Sequence, residues 1–143
     1  PIGCELAQAF RRLGAKVTVM SAEEHDRVMA RTSHLAHLVA ALLAGTVGRE
    51  GAVAGLGAYC GPGFRDATRI ADGSPGVWHD IVFSNRHSIE TELEAFGAEV
   101  QRLRDIVARG RSEDVLSFLE EARSRRRALL QGKAAEASGG KEQ

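Results

Sequence analysis

Apolar residues recur along most of this chain at intervals of three and four, the spacing that lines one face of an α-helix. The pattern predicts helices over 3–13, 21–44, 64–72, 75–108 and from 112 to about 130. A break near Asn85 should divide the fourth of these ranges into two helices. Only the short alternation over 16–20 predicts a β-strand. The predicted fold class is therefore mainly α.

Start and stop signals define the ends of these helices. Ser21 and Glu24 have the serine-x-x-glutamate spacing of a capping box, in which each side chain binds a free amide at a helix start. Gly45 is placed to end that helix, and the glycine-rich stretch from there to Gly63 predicts a loop that can include a short helix. Ser74 is followed by a proline, which is typical of a helix start.

The first 20 residues differ from the rest, because they predict a helix and then a strand. This order is typical of the last unit of a nucleotide-binding sheet, and a single strand needs neighbours for its backbone groups. We therefore expect a remnant of a nucleotide-binding domain (1–20), a helical domain (21–130) and a tail (131–143). The composition of the tail is typical of disorder.

Composition limits the expected partners and location. Lys and Arg total 19, as do Asp and Glu, so the net charge of zero favours neither nucleic acid nor an acidic membrane. The most apolar run, 35–44, is shorter than the roughly 20 residues that span a bilayer, and no membrane segment is expected. Cys4 and Cys60 form no C-x-x-C pair and no signal peptide is evident, so the cytoplasm is the expected location.

Two pairs of polar residues are candidates for binding an acidic ligand. Arg69 carries a planar guanidinium that can hold a carboxylate by two hydrogen bonds, and Asp66 on the same helical face can orient it. The same spacing also describes an exposed ion pair worth about 0.3–0.5 kcal/mol. His34 and His37 share a helical face, where they could bind a metal, relay a proton or face a polar cavity. A metal is not expected, because further ligands at suitable spacing are lacking.

The segments that carry these residues resemble a known enzyme family. The glycine-, arginine- and aspartate-containing motif over 63–71 and the tryptophan-containing motif over 74–81 are closely similar to the C-terminal half of prephenate dehydrogenases. The motifs over 24–26 and 33–37 match the same family. All four occur in the family's order and spacing, and the resemblance covers most of 15–120. It implies a helical, prephenate dehydrogenase-like dimerisation domain.

The resemblance implies substrate-binding roles for the following residues: Arg69, Asp66, His34, Trp78, Gly63 and Thr68. Arg69 would hold a carboxylate of the substrate, and Asp66 would orient its guanidinium. His34 would lie at the mouth of the active site. Trp78, the only tryptophan, would form a wall of the pocket, although a lone tryptophan is by itself more often a core residue.

The implied activity is NAD- or NADP-dependent oxidative decarboxylation of prephenate to 4-hydroxyphenylpyruvate, in tyrosine biosynthesis. The family binds its cofactor in a nucleotide-binding domain that we expect outside this sequence, so the chain alone should be inactive. Family members form homodimers through their helical domains, which agrees with the broad apolar faces predicted here. Two alternatives are arogenate or mixed cyclohexadienyl specificity, and a noncatalytic helical module for dimerisation or ligand binding.

Residues 1–19 also resemble, more weakly, the NAD-binding segment of flavin disulfide reductases. In that comparison Gly3 would be the last glycine of the dinucleotide-binding fingerprint. The sequence lacks the preceding strand and glycines, so the phosphate-binding turn would be incomplete. A chimeric N-terminus would explain both resemblances.

Overall fold

The computed structural model describes residues 2–49 and 54–138, and most of them are helical. The α-helices are α1 (Ile2–Arg12), α2 (Ala22–Met29), α3 (Leu35–Val47), α4 (Pro62–Thr68), α5 (Pro75–Ser84), α6 (Arg86–Arg109) and α7 (Ser112–Ser138). A π-helix at Ala30–His34 joins α2 to α3, and 3-10 helices occupy Leu56–Tyr59 and Arg69–Asp72. No strand forms among the described residues, and the mainly α fold class is confirmed.

The strand predicted at 16–20 does not form. Its residues have no regular secondary structure, since the described ranges offer no second strand to bond with their backbone. The helix before it is confirmed as α1, and Gly14 ends that helix with a φ of 83°. The amides of Gly14 and Ala15 bond to the carbonyls of Arg11 and Phe10, at 2.9 and 3.1 Å. This Schellman arrangement satisfies carbonyls that the helix end would leave free.

The long helix predicted from residue 21 is confirmed, with a different end. Ser21 caps it by accepting a hydrogen bond of 3.1 Å from the backbone amide of Glu24. Gly45 does not stop the helix, which continues to Val47 and ends at Gly48. Gly45 keeps a helical conformation, so the backbone hydrogen bonds continue past it, and the last of them joins the amide of Gly48 to the carbonyl of Ala44.

By length and composition, the 26 residues Ala22–Val47 would suffice to cross a membrane, which differs from our expectation from residues 35–44. The core helix of a protein that never enters a membrane meets the same test. Here the segment buries two histidines, His34 and His37, rather than presenting an apolar surface all round.

The described chain forms two compact units, which meet in sequence between Leu93 and Glu94 within α6. In the first unit α3 packs against α4 and against the 3-10 helix Arg69–Asp72, and the small residues Ala30 and Ala40 are buried. The second unit contains the rest of α6 and α7. Within it, Arg102 pairs with Glu121 at 2.8 Å, an exposed contact between these helices.

The C-terminal half largely follows the sequence pattern. The break near Asn85 is confirmed, because α5 ends at Ser84 and α6 starts at Arg86. The last helix starts at Ser112 as predicted and extends to Ser138, beyond the start of the tail that we expected to be disordered. Residues 139–143 of that tail lie outside the described residues, as do 50–53 of the predicted glycine-rich loop.

Candidate functional site

Two histidines of the long helix form the centre of the candidate site. His34 is the last residue of the π-helix and His37 lies in the first turn of α3. The π-helix closes with a hydrogen bond from the amide of Leu35 to the carbonyl of Ala30, five residues earlier. Only 8% of His34 and 7% of His37 is exposed, so both imidazoles lie inside the first unit. π-Turns of this kind are frequent at functional sites.

Trp78, from α5, packs against both histidines. Its ring is stacked on that of His37, with 3.4 Å between centroids and 10° between planes. The His34 ring meets it edge-on at 6.1 Å and 85°. The indole N–H has no hydrogen-bond partner among the described residues and is not sealed from solvent. Packing thus fixes the aromatic ring, while its N–H forms no hydrogen bond with the described residues.

Gly73 is the close neighbour of this ring stack. A Cβ added at Gly73 would lie 2.6 Å from Nε1 of Trp78 and 3.0 Å from Cε1 of His37. Both atoms belong to rigid rings, so neither can move aside without disturbing the stack. The backbone needs glycine here for close approach, since the φ of −60° suits any residue.

Asn85 is the third buried polar residue of the site. Its side-chain amide donates to the backbone carbonyl of Asp26 at 2.7 Å and lies 3.3 Å from Nδ1 of His34. Asp26 belongs to α2, just before the π-helix. Asn85 therefore connects the break between α5 and α6 to the helix that carries the histidines.

The surroundings of the histidines favour their neutral forms. Burial lowers the pKa of His34, the Asp26 carboxylate opposes that shift, and His25 adds to it. Burial also lowers the pKa of His37. A histidine is ordinarily half protonated at a pH of about 6.5, so lowering the pKa of each ring favours its neutral form at pH 7.

Arg69 starts the 3-10 helix that ends just before Gly73, and this helix packs on α3. Its guanidinium is exposed and forms no ion pair with any described residue. Asp66 is exposed as well, and the predicted contact between the two side chains is not made in this structure. The predicted roles of both residues toward a substrate stay predictions.

Gly63 and Thr68 lie in α4, which ends immediately before Arg69. The Thr68 hydroxyl donates to the carbonyl of Phe64 at 2.7 Å, so its proton is already used within the helix. Open space surrounds Gly63, and neither its backbone nor its neighbours require a glycine. Their lining of a pocket also stays a prediction.

Sequence reasoning missed Asn85 and Gly73 as site residues. In the sequence pattern, Asn85 marks only a break between two helices, and Gly73 only follows the helix predicted over 64–72. Asn85 is the only asparagine of the chain, but nothing in the local pattern shows that its side chain reaches α2, 59 residues away in sequence. The signal for Gly73 was its place between the arginine and tryptophan motifs.

No group of three or more possible metal ligands lies together in the described ranges. A dinucleotide requires a glycine-rich turn between a strand and a helix for its phosphates. The described residues form no strand and therefore do not contain such a turn.

A groove of a different character lies on α3. It measures about 510 Å³ and is lined mainly by apolar or small residues, namely Leu38, Ala41, Leu42, Gly45, Thr46 and Leu93. No charged side chain lines it, so it suits contact with another apolar surface better than binding of an acid.

These features define a helical domain in which an aromatic ring and two buried histidines lie beside an arginine-bearing segment. Comparison with known proteins identifies its family: residues 21–121 match the family described as prephenate dehydrogenase, dimerization domain. The chain belongs to the prephenate dehydrogenase family, as the sequence motifs indicated.

Individual relatives agree with this assignment. The chain is 34% identical to a cyclohexadienyl dehydrogenase of Zymomonas mobilis, over 87% of this chain and 43% of the relative. It is 32% identical to a prephenate dehydrogenase of Bacillus subtilis, over 87% of this chain and 34% of the relative.

A solved structure is similar too. The prephenate dehydrogenase from A. aeolicus, crystallised with hydroxyphenyl propionate and NAD+, superposes with a TM-score of 0.70 at 32% identity. The match covers 80% of this chain and 40% of that one. The chain thus spans well under half the length of these relatives.

Proposed function

We propose that this chain supplies the substrate-binding and dimerising helical part of an enzyme that oxidatively decarboxylates prephenate. In that reaction carbon dioxide leaves, a hydride passes to NAD or NADP, and 4-hydroxyphenylpyruvate forms. The family match and the relatives support this proposal. Within the structure, the observation that carries it is the cluster of half-buried Trp78 with buried His34 and His37, on a helix that packs against the segment starting at Arg69.

In this proposal Arg69 holds a carboxylate of the substrate. Its guanidinium is exposed and has no anionic partner among the described residues, so its hydrogen-bond donors are free for a ligand. A guanidinium can donate two parallel bonds to a carboxylate, an arrangement about twice as strong as neutral hydrogen bonds. Asp66, one turn earlier, is within reach to orient Arg69 once a ligand orders both side chains.

Trp78 and His34 form the wall against which the ring of the substrate rests. Stacking on His37 fixes the indole plane without consuming its N–H. Thr68 and Gly63, in the helix before Arg69, are proposed to line the path of the substrate to Arg69. Open space at Gly63 leaves room for a ligand there. Burial lowers the pKa of His37, and we expect ligand binding to leave that pKa unchanged.

The cofactor is proposed to be NAD or NADP, because the solved relative from A. aeolicus was crystallised with NAD+. It would supply the hydride acceptor. The residues described here contribute binding and orientation of the substrate and exclusion of water from the ring stack.

A homodimer is proposed as the working form. The matching family domain is named for dimerization, and many large apolar side chains are exposed on the described helices, among them Leu42, Val107 and Leu119. Large exposed apolar faces of this kind commonly pack against a second subunit.

Calorimetric titration with hydroxyphenyl propionate and with prephenate tests the role of Arg69. Arg69→Ala should weaken binding by about 10- to 150-fold, since a hydrogen bond to a charged group is worth about 1.5–3 kcal/mol. Arg11→Ala, which removes an exposed arginine from α1, serves as the control and should bind like the unmodified chain. Equal affinities for Arg69→Ala and the control would contradict the proposal.

A further titration with arogenate separates the two specificities, and a turnover assay separates the noncatalytic alternative. Tighter binding of arogenate than of prephenate would indicate arogenate specificity, and similar binding would indicate a mixed cyclohexadienyl enzyme. A noncatalytic ligand-binding module would bind these compounds without turnover after the cofactor-binding part of a relative is supplied in trans.

A further inference from the structure

The side chain of Asn85 is buried and makes polar contacts, although a helix break by itself requires neither. It is buried, with 7% of its surface exposed, and its amide nitrogen lies between two acceptor positions. One is the carbonyl oxygen of Asp26 at 2.7 Å, and the other is Nδ1 of His34 at 3.3 Å.

The chemistry of these partners fixes the direction of both hydrogen bonds. A backbone carbonyl can only accept, so the NH₂ group of Asn85 and not its oxygen must face Asp26. The same nitrogen reaches His34 with its second N–H, and Nδ1 must therefore accept. A neutral imidazole whose Nδ1 accepts carries its proton on Nε2.

The other nitrogen of His34 is left available. Nε2 has no hydrogen-bond partner among the described residues, and it is not sealed from solvent, because no buried side-chain nitrogen there lacks a partner. The His34 ring meets the ring of Trp78 edge-on, beside the proposed substrate wall. A free N–H donor thus lies at the edge of the site.

We propose that Asn85 is a positioning residue that locks neutral His34 with its proton on Nε2, so that His34 offers a ligand a hydrogen-bond donor. The ligand group it suits is an oxygen acceptor, such as a carboxylate, carbonyl or hydroxyl oxygen. In this form Nε2 cannot take a proton from the substrate. The nature of the ligand rests on the proposed function, whereas the lock on His34 does not.

Charged and titratable groups near His34 influence whether its ring is protonated, whereas Asn85 influences which nitrogen carries the proton of the neutral ring. From α2, the Asp26 carboxylate favours the protonated ring and His25 disfavours it. His37 lies one turn further along the same helix and shares Trp78 as a neighbour. Asn85 is uncharged, so it selects the position of the proton on the neutral ring without adding charge.

NMR of the full chain labelled with ¹⁵N-histidine tests the proposal directly, because the two ring nitrogens differ in chemical shift when one carries the proton. Above pH 8, His34 of the unmodified chain should show a protonated Nε2 and an unprotonated Nδ1. A proton on Nδ1, or an even mixture of both forms, would overturn the proposal without any variant.

Asn85→Asp supplies the second test. An aspartate accepts but does not donate, so the His34 proton should move to Nδ1 and the midpoint of its titration should rise. The exposed His79 should keep its ¹⁵N chemical shifts and serves as the internal control. A His34 that keeps its proton on Nε2 in a folded Asn85→Asp chain would refute the role of Asn85.

Addition of hydroxyphenyl propionate distinguishes this proposal from the proposed function. Binding should shift the Nε2–H signal of His34 in the unmodified chain while its proton stays on Nε2. Loss of that proton from Nε2 on binding would overturn the donor role. An unchanged spectrum at saturating ligand would refute donation to this ligand and count against the substrate site, while the spectrum without ligand still decides the role of Asn85.

Discussion

At the scale of single residues, Gly73 shows how a position without a reactive group can control the site. The two rings that stack beside it leave no room for a Cβ, because the nearest ring atom would be 2.6 Å away. The stacking of Trp78 on His37 thus depends on the absence of a side chain at Gly73.

Gly73→Ala should therefore separate the rings and destabilise the first unit by about 1–3 kcal/mol, the usual cost of overpacking. Urea unfolding measures the loss, and the fluorescence of Trp78, the only tryptophan, reports the change around the indole. Gly76→Ala is the matched control, because a Cβ at Gly76 meets nothing within 4 Å. If both variants unfold at the same urea concentration, the close approach does not matter.

At the scale of elements, the helix from Ser21 to Val47 positions the histidines through its start and its π-turn. The serine cap fixes where the helix begins, and the five-residue hydrogen bond at Ala30 to Leu35 adds a residue to one turn. That addition changes which residues face inward beyond it, and His34 and His37 are then both buried. The apolar spacing in the sequence predicted the helix but not its widened turn.

Ser21→Ala should lower the free energy of unfolding by about 1 kcal/mol, since it removes the bond to the Glu24 amide. Chemical denaturation followed by circular dichroism measures the change. Ser74 is also an N-cap residue, but its side chain accepts no capping hydrogen bond, so Ser74→Ala is the control and should cost clearly less. A loss at Ser74 as large as that at Ser21 would contradict this explanation.

At the scale of the whole molecule, the described residues expose more large apolar side chains than they bury. Few large apolar residues are buried, whereas Leu42 is 56% exposed in the groove on α3. The proposed homodimer would cover such faces, and the stability of the chain would then depend on its concentration.

Leu42→Asp tests this point by placing a charge in the groove. Sedimentation velocity should show a dimer for the unmodified chain and a shift toward monomer for Leu42→Asp, because an unpaired charge is costly to bury. Tyr59→Asp changes another residue with a large exposed surface, 81%, away from α3 and should leave the dimer intact. A monomeric unmodified chain, or a Leu42→Asp chain that remains dimeric, would contradict the assignment of this face.

Sequence alone determined the helical content, the first helix within residues 3–13, the cap at Ser21 and the break near Asn85, because each depends on residues within a turn or two. Its motifs also determined the family. The same local rules failed for the strand at 16–20, since a strand needs a partner that local sequence cannot supply.

Only the tertiary structure decided which side chains meet. It stacked Trp78 on His37, brought Asn85 to His34 across 51 positions of sequence, and left the side chain of Arg69 exposed. Helical periodicity assigns a residue to a face but not to a neighbour on another helix. The state of the His34 proton depends on such a neighbour, and therefore no local pattern in the sequence could reveal it.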